Sequence, residues 1–366
     1  MSEVLDHKCP SCGASVVFDA GSQMVSCPSC GTNFDINEFV DRVEDFQKAT
    51  VSYNEGANDF KSGVLEEENE NQQKEVIDDE FQMYTCNSCA AQLLCDENTV
   101  ATRCPYCDSE VVFTGRVSEQ LKPDFIIPFK HDKEAAKKAL KDHTKNKFLL
   151  PKVFKDENHI DEIKGIYVPY WIFDYKIEGS ANFTGTKVRH YSDSEYNYTE
   201  TRYYDIVAEG DCKFYSVPAD GSSKLDDSLM ESIEPFDYQD NKEFQTIYLS
   251  GFLSERYDVD ESEVDEIVKN RVKNTFSDEL ANTISGYTTI HLDRSNYKYY
   301  DKNVRYAMMP VWILNTSWKN KKYIFAMNGQ TGKFVGDLPV DWFKFIAVTL
   351  ISLIFFAIIG FAIFLR

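Results

Sequence analysis

Cys9-Pro-Ser-Cys12 and Cys27-Pro-Ser-Cys30 are separated by fourteen residues, and Cys86-Asn-Ser-Cys89 and Cys104-Pro-Tyr-Cys107 repeat that frame 77 residues later. Eight of the ten cysteines fall into these pairs. A Cys-x-x-Cys turn brings two thiolates to one point, and two such turns supply a tetrahedral Zn2+ with four ligands at about 2.3 Å each. Each frame is too short to bury a sufficient apolar core, so a metal has to hold it. The expectation is two structural zinc ribbons. The first takes Cys9, Cys12, Cys27 and Cys30 within residues 1–35, and the second takes Cys86, Cys89, Cys104 and Cys107 within residues 84–117. With four protein ligands on each ion, no position stays open for metal catalysis. A redox pair would need a thioredoxin-like βαβ frame, which is absent around these motifs.

Within each frame, Val16-Val17-Phe18 and Leu93-Leu94-Cys95 hold equivalent places and are expected to form the short strand over the metal. Cys95 then aligns with Phe18 and reads as a core residue rather than a fifth ligand. Gly13 and Gly31 follow the turns of the first copy, where a positive φ is useful. Ala90 and Asp108 replace them in the second, whose turns are expected to be less relaxed. Strand-like runs follow each frame, Asn33-Phe34 and Val111-Val112-Phe113.

Between the frames, residues 36–83 read as a helix and a linker. Ile36, Phe39, Val40, Val43 and Phe46 recur at helical spacing. Glu66-Glu67-Glu68-Asn69-Glu70-Asn71-Gln72-Gln73 is acidic and too poor in apolar residues to fold alone. The two ribbons are therefore expected to be flexibly joined. Residues 1–121 hold 23 acidic and 7 basic side chains, so most of the net charge of −21 lies there. A phosphate-binding surface needs clustered Lys and Arg, so this front argues against nucleic acid.

Residues 120–341 read as an α+β domain rich in antiparallel strands, with helices over Asp132 to about Lys147 and Glu261 to Ile284. Strands are expected over Gly179–Thr186, Glu200–Glu209, Cys212–Ser216, Tyr287–Leu292 and Tyr323–Met327, with a turn at Asn328-Gly329. Tyr167-Val168-Pro169-Tyr170-Trp171-Ile172 and Met308-Met309-Pro310-Val311-Trp312-Ile313 share a Pro-x-Trp-Ile core. Duplication and coincidence on short motifs both explain that match. The prolines are expected at strand starts or on edges, where a missing N–H does no harm. The six histidines are scattered, and no catalytic frame surrounds them. Gly329-x-x-Gly332-Lys333 lacks the spacing of a phosphate loop. The body is expected not to be an enzyme.

The chain closes on Phe345–Leu365, twenty-one residues without a charge. As a helix this covers roughly 30 Å, the thickness of a bilayer's hydrocarbon core. Trp342 and Lys344 stand at one end and Arg366 at the other, as interfacial anchors would. Residues 344–365 are thus expected to be a single transmembrane helix, a tail anchor in the cell membrane. The polar start MSEVLDHKC carries no export signal, which puts the N-terminal region in the cytoplasm.

Leu121–Phe129, Phe154–Asp174, Asp227–Tyr238 and Met309–Asp341, together with the ribbons, resemble a bacterial family common in Firmicutes, the transcription-factor-IIB-type zinc-ribbon membrane proteins. Such chains sometimes carry a primosomal or helicase-like label, which rests on the ribbons alone. Some relatives neighbour a flotillin-like (SPFH) protein and a phage-shock protein A homologue. The resemblance implies a non-enzymatic scaffold that recruits such partners to the membrane in envelope stress. A nucleic-acid-binding ribbon protein linked to replication or transcription is the alternative.

Overall fold

The computed structural model describes residues 8–42, 76–77, 82–86, 90–95, 104–106, 111–116, 120–155, 162–319 and 321–364. The acidic run 66–73, Val43, Phe46, Cys89, Cys107 and Asp108 lie outside them.

Near the N-terminus, β1 (Val17–Asp19), β2 (Met24–Ser26) and β3 (Asn33–Phe34) form an antiparallel sheet with β2 in the centre. Alternation places Phe18, Val25 and Phe34 on its buried face. Helix α1 (residues 36–42) adds Ile36 and Phe39 to that face, with the Phe39 ring 5.9 Å from Phe34. The second cysteine segment builds its sheet from a different set of strands, with a central strand that leads into its first cysteine turn. Here β5 (Gln82–Cys86) lies between β6 (Gln92–Cys95) and β7 (Val111–Arg116). A two-residue pairing, β4 (Val76–Ile77) with β8 (Gln120–Leu121), stands apart.

The remaining strands are β9 (Phe125–Ile126), β10 (Lys164–Ser192), β11 (Asn197–Asp220), β12 (Lys242–Glu243), β13 (Leu253–Glu255), β14 (Thr289–Trp318), β15 (Lys321–Asn328) and β16 (Phe334–Gly336). The helices are α2 (Lys133–Thr144), α3 (Asp227–Ile233), α4 (Glu261–Thr283) and α5 (Trp342–Phe364). The strand order is β12-β9-β14-β10-β13-β6-β5-β7, with β11 on β10 and β15 on β14. The fold is mixed α+β. Among the described residues one helix, α5, is long and apolar enough to cross a membrane. Its window Trp342–Gly360 has a mean hydropathy of 2.4 and is not buried.

Contacts divide the chain into two compact units. One comprises Met1–Val168, Lys224–Arg256 and Met308–Arg366, and the other Pro169–Ser223 and Tyr257–Ala307. The first is centred on rings: Phe129 stacks on Phe252 at 4.2 Å and meets Tyr167 and Trp312 edge-on at 5.0 and 5.2 Å. Only a glycine fits at 329, since a Cβ there would lie 2.4 Å from the Phe129 ring. In the same unit β13 pairs on one side with Ile166 and Tyr167, and on the other with Leu93 and Leu94 of β6. The second cysteine segment therefore continues the body's sheet. The first also rests on the body: Phe18 N–H donates to Ser250 O at 3.2 Å, and Gln23 Nε2 to Phe129 O at 2.6 Å. Ribbons held off the body by a linker are not what these contacts describe.

The same local construction occurs once in each unit. In the first, Trp312 Nε1 donates to His131 O at 2.9 Å, Gly329 N to Pro310 O at 2.8 Å, and Lys130 N and His131 N both to Gly329 O at 2.9 Å. In the second, Trp171 Nε1 donates to Val259 O at 2.9 Å, Gly221 N to Pro169 O at 2.9 Å, and Asp258 N and Val259 N to Gly221 O at 3.0 and 3.2 Å. A helix begins directly after each loop, behind Asp132 for α2 and Asp260 for α4. Each unit thus joins a helix from one half of the chain to a hairpin from the other.

Four of the expected strands lie inside β10, β11 and β15, and the fifth, Tyr287–Leu292, becomes strand only from Thr289, where β14 begins, but the prolines do not start strands. Pro169 and Pro310 are interior to β10 and β14. Each sits one residue before its hairpin ladder begins, at Tyr170↔Asp220 and Val311↔Asn328. There the missing N–H withdraws nothing from the hairpin.

Candidate metal centre

The four sulfurs of Cys9, Cys12, Cys27 and Cys30 lie within 4.8 Å of one another. Cys9 and Cys30 are 3.7 Å apart, and Cys12 and Cys27 are 3.5 Å apart. A tetrahedral ion with thiolate bonds of about 2.3 Å asks for sulfur–sulfur edges of about 3.8 Å, so the cluster fits a metal ion. Cys9 and Cys27 are buried and Cys12 and Cys30 exposed, so each turn sends one ligand inward and one outward.

Local geometry explains why the sulfurs converge. Cys9 N–H donates to Ala14 O and its carbonyl accepts from Gly13 N, at 2.7 and 2.8 Å. Cys27 repeats this with Thr32 O and Gly31 N, at 3.0 and 2.9 Å. Both glycines have φ 73, the left-handed conformation that closes the turn. Ser11 N–H lies 3.4 Å from Cys9 Sγ as a donor to the ligand.

Thr32 supports Cys30. Its hydroxyl, 3.1 Å from the sulfur, and then its backbone N–H draw the Cys30 thiol down to about 6. Cys12 is pushed up to about 12. A hydrogen bond from the Ala14 backbone opposes that rise, but contacts with Cys27, Cys30 and Cys9 and desolvation outweigh it. Four neighbouring thiols resist ionising together, and a divalent cation between them removes the conflict. Thr32 was not among the residues marked by sequence, because its role depends on the turn that carries it to Cys30.

The second frame is described in part. Cys86 and Cys104 are both buried. Cys86 N–H donates to Ala91 O and its carbonyl accepts from Ala90 N, both at 2.9 Å, with Ala90 at φ 56. This is the turn of Cys9 and Cys27 with alanine in the glycine position. Cys89 and Cys107, the other expected ligands, lie outside the described residues. Cys95 lies in β6 opposite Gln82. Next to Cys104, Tyr106 donates its hydroxyl to the buried Glu255, and its carbonyl accepts from Asn315 Nδ2.

In comparisons with known proteins, the chain is 31% identical over 362 residues to the uncharacterised protein YdjG of Bacillus subtilis (strain 168), covering 96% of this chain and 98% of that one. No family model and no solved structure matches.

Proposed function

The chain belongs to the YdjG family, and we propose that it is a membrane-anchored adaptor, not an enzyme, which recruits protein partners through zinc ribbons. Zn2+ fills Cys9, Cys12, Cys27 and Cys30, and a second Zn2+ takes Cys86, Cys89, Cys104 and Cys107. The shared turn at Cys9, Cys27 and Cys86 supports that pairing of sites. Helix α5 is a single-pass anchor in the cell membrane, with the N-terminal region in the cytoplasm. The observation that carries the reading is this helix, an apolar window of 19 residues with none of it buried. Water is a poor solvent for such a surface, and a bilayer is the natural one. The repeated tryptophan construction supports a duplicated body whose halves have exchanged helices. Anchoring turns weak ribbon contacts into high local concentration. By resemblance, the partners are a flotillin-like (SPFH) protein and a phage-shock protein A homologue, and the setting is envelope stress.

The test is affinity purification of the full chain from detergent-solubilised membranes, with mass spectrometry of the co-purifying proteins. Enrichment of a flotillin-like or phage-shock-type protein, lost when Cys86 and Cys89 are both changed to Ser, is the expected outcome. Replication or transcription proteins in their place would favour the nucleic-acid alternative, against which the acidic front argues.

A further inference from the structure

Helix α5 is tied to a loop of the body at its first turn. Asp341 N–H donates to Leu149 O at 2.8 Å, and Lys344 Nζ to Leu150 O at 2.7 Å. In that loop Phe148 is 64% exposed, with Lys145 and Lys147 exposed beside it. The tip between β14 and β15 forms a second flank. Lys319 lies 4.5 Å over the Trp318 ring and 5.5 Å over Phe343, and Lys321 and Lys322 are exposed next to it. Trp342 and Phe343 are 63% and 79% exposed. Between the loop and Leu338-Pro339-Val340 runs a cleft of about 280 Å³ with Phe148, Leu149 and Leu150 on its other wall.

The charge of this end is opposite to that of the whole chain. Six lysines, Lys145, Lys147, Lys319, Lys321, Lys322 and Lys344, stand in these segments beside three carboxylates, Asp142, Asp337 and Asp341, and Lys344 engages Asp341 at 3.7 Å. Aromatic rings beside lysines are the composition of the bilayer's interfacial layer, where the ring enters and the ammonium stays at the headgroups. Anionic lipid attracts such lysines within a Debye length. The hydrogen bonds to Leu149 and Leu150 hold the loop at the level where the apolar helix starts.

We propose that loop 145–150, together with Trp318, Lys319, Lys321 and Lys322 at the ends of β14 and β15, forms a collar around the start of α5 that docks on an anionic bilayer, Phe148 entering the interface and the lysines meeting anionic headgroups. The collar rests on the reading of α5 as an anchor. It sets the orientation of the body's first unit at the membrane instead of leaving it on a free tether.

The experiment reconstitutes the full chain carrying Phe148→Trp in phosphatidylcholine vesicles with or without phosphatidylglycerol, and reads flotation and quenching by brominated acyl chains against the parent protein. Phe148 is exposed, so the substitution does not threaten the fold. The expected result is an added, blue-shifted emission that brominated lipid quenches, more strongly with phosphatidylglycerol. Adding Lys145→Glu and Lys147→Glu should lower the docked-to-lifted ratio by about fivefold or more per lysine. A water-like, unquenched indole at position 148 in protein that still floats would overturn the collar and leave the anchor standing. Equal quenching with and without phosphatidylglycerol would overturn the attraction of the lysines to anionic lipid. Protein that fails to float would overturn both the anchor and the collar.

Discussion

Ala90 holds a conformation that costs an L-residue with a Cβ. Its φ of 56 closes the Cys86 turn as Gly13 and Gly31, at φ 73, close theirs. A non-glycine in the left-handed region costs roughly 1–2 kcal/mol. Ala90→Gly should therefore stabilise the protein by about 1 kcal/mol, and Gly13→Ala should destabilise it by a similar amount. Denaturant midpoints at unchanged slope measure both, and an unmoved midpoint for Ala90→Gly would mean the turn is not strained. This position was legible in sequence, because alignment of the two cysteine frames puts Ala90 where glycine belongs. Thr32 beside Cys30 and Glu255 beneath Tyr106 were not. A hydroxyl's aim at a sulfur depends on a turn already formed, and Tyr106 and Glu255 are 149 positions apart.

Helix α4 and the paired tryptophans show how far periodicity reaches. In α4, Val264, Val268, Val272, Phe276 and Leu280 are buried at steps of four, the stripe expected of a helix on a sheet. Asp265 beside this stripe gathers cations: Lys269 lies at 2.7 Å and Lys302 of β14 at 3.1 Å, and Tyr175 of β10 donates its hydroxyl. Desolvation opposes its charge, but these partners hold its carboxyl down at about 2, from an ordinary 3.8. A depressed carboxylate stabilises the fold above its unfolded value and loses that contribution as pH falls through the folded one. Asp265 should contribute about 1–2 kcal/mol at neutral pH after screening, lost progressively between about pH 4 and 2. Thermal unfolding of Asp265→Asn should lie below the parent at pH 7 and converge with it near pH 2. A constant gap across that range would sink the assignment. Trp171→Phe and Trp312→Phe each remove the donor to a loop carbonyl, at 2.9 Å in both cases, and should cost about 1–3 kcal/mol each. Closely similar costs are expected if the two constructions are equivalent, and one neutral substitution would show that they are not. The Pro-x-Trp-Ile match pointed to this equivalence. Which hairpin each helix meets was invisible, since a helix and a hairpin carry the same local signals whatever they pack against.

For the whole chain, the apolar tail was the most legible feature, because length and composition alone mark a helix able to cross a membrane. The seating of the cysteine segments was the least legible. An acidic spacer reads as free linker, whereas docking is decided by contacts far apart in sequence, such as Gln23 Nε2 to Phe129 O across 106 positions. That seating would couple a metal held by Cys9, Cys12, Cys27 and Cys30 to the body. The strand carrying Phe18 is held from one side by the cysteine turns and touches the body from the other: its N–H meets Ser250 O, and its ring lies 5.3 Å from Tyr248. Structural zinc contributes about 10–16 kcal/mol in small Cys-rich folds, so its removal should release the sheet β1–β3. Residues 246–250 contain no metal ligand, yet they should lose protection in the same step. Hydrogen exchange of the full chain with and without a chelator reads this directly, and the expected pattern is faster exchange in residues 17–26 and 246–250 together. Exchange that rises in residues 8–42 alone would show that the first cysteine segment is seated independently of the body. The metal would then order only its own ribbon, and a partner bound there would not sense the body through this contact.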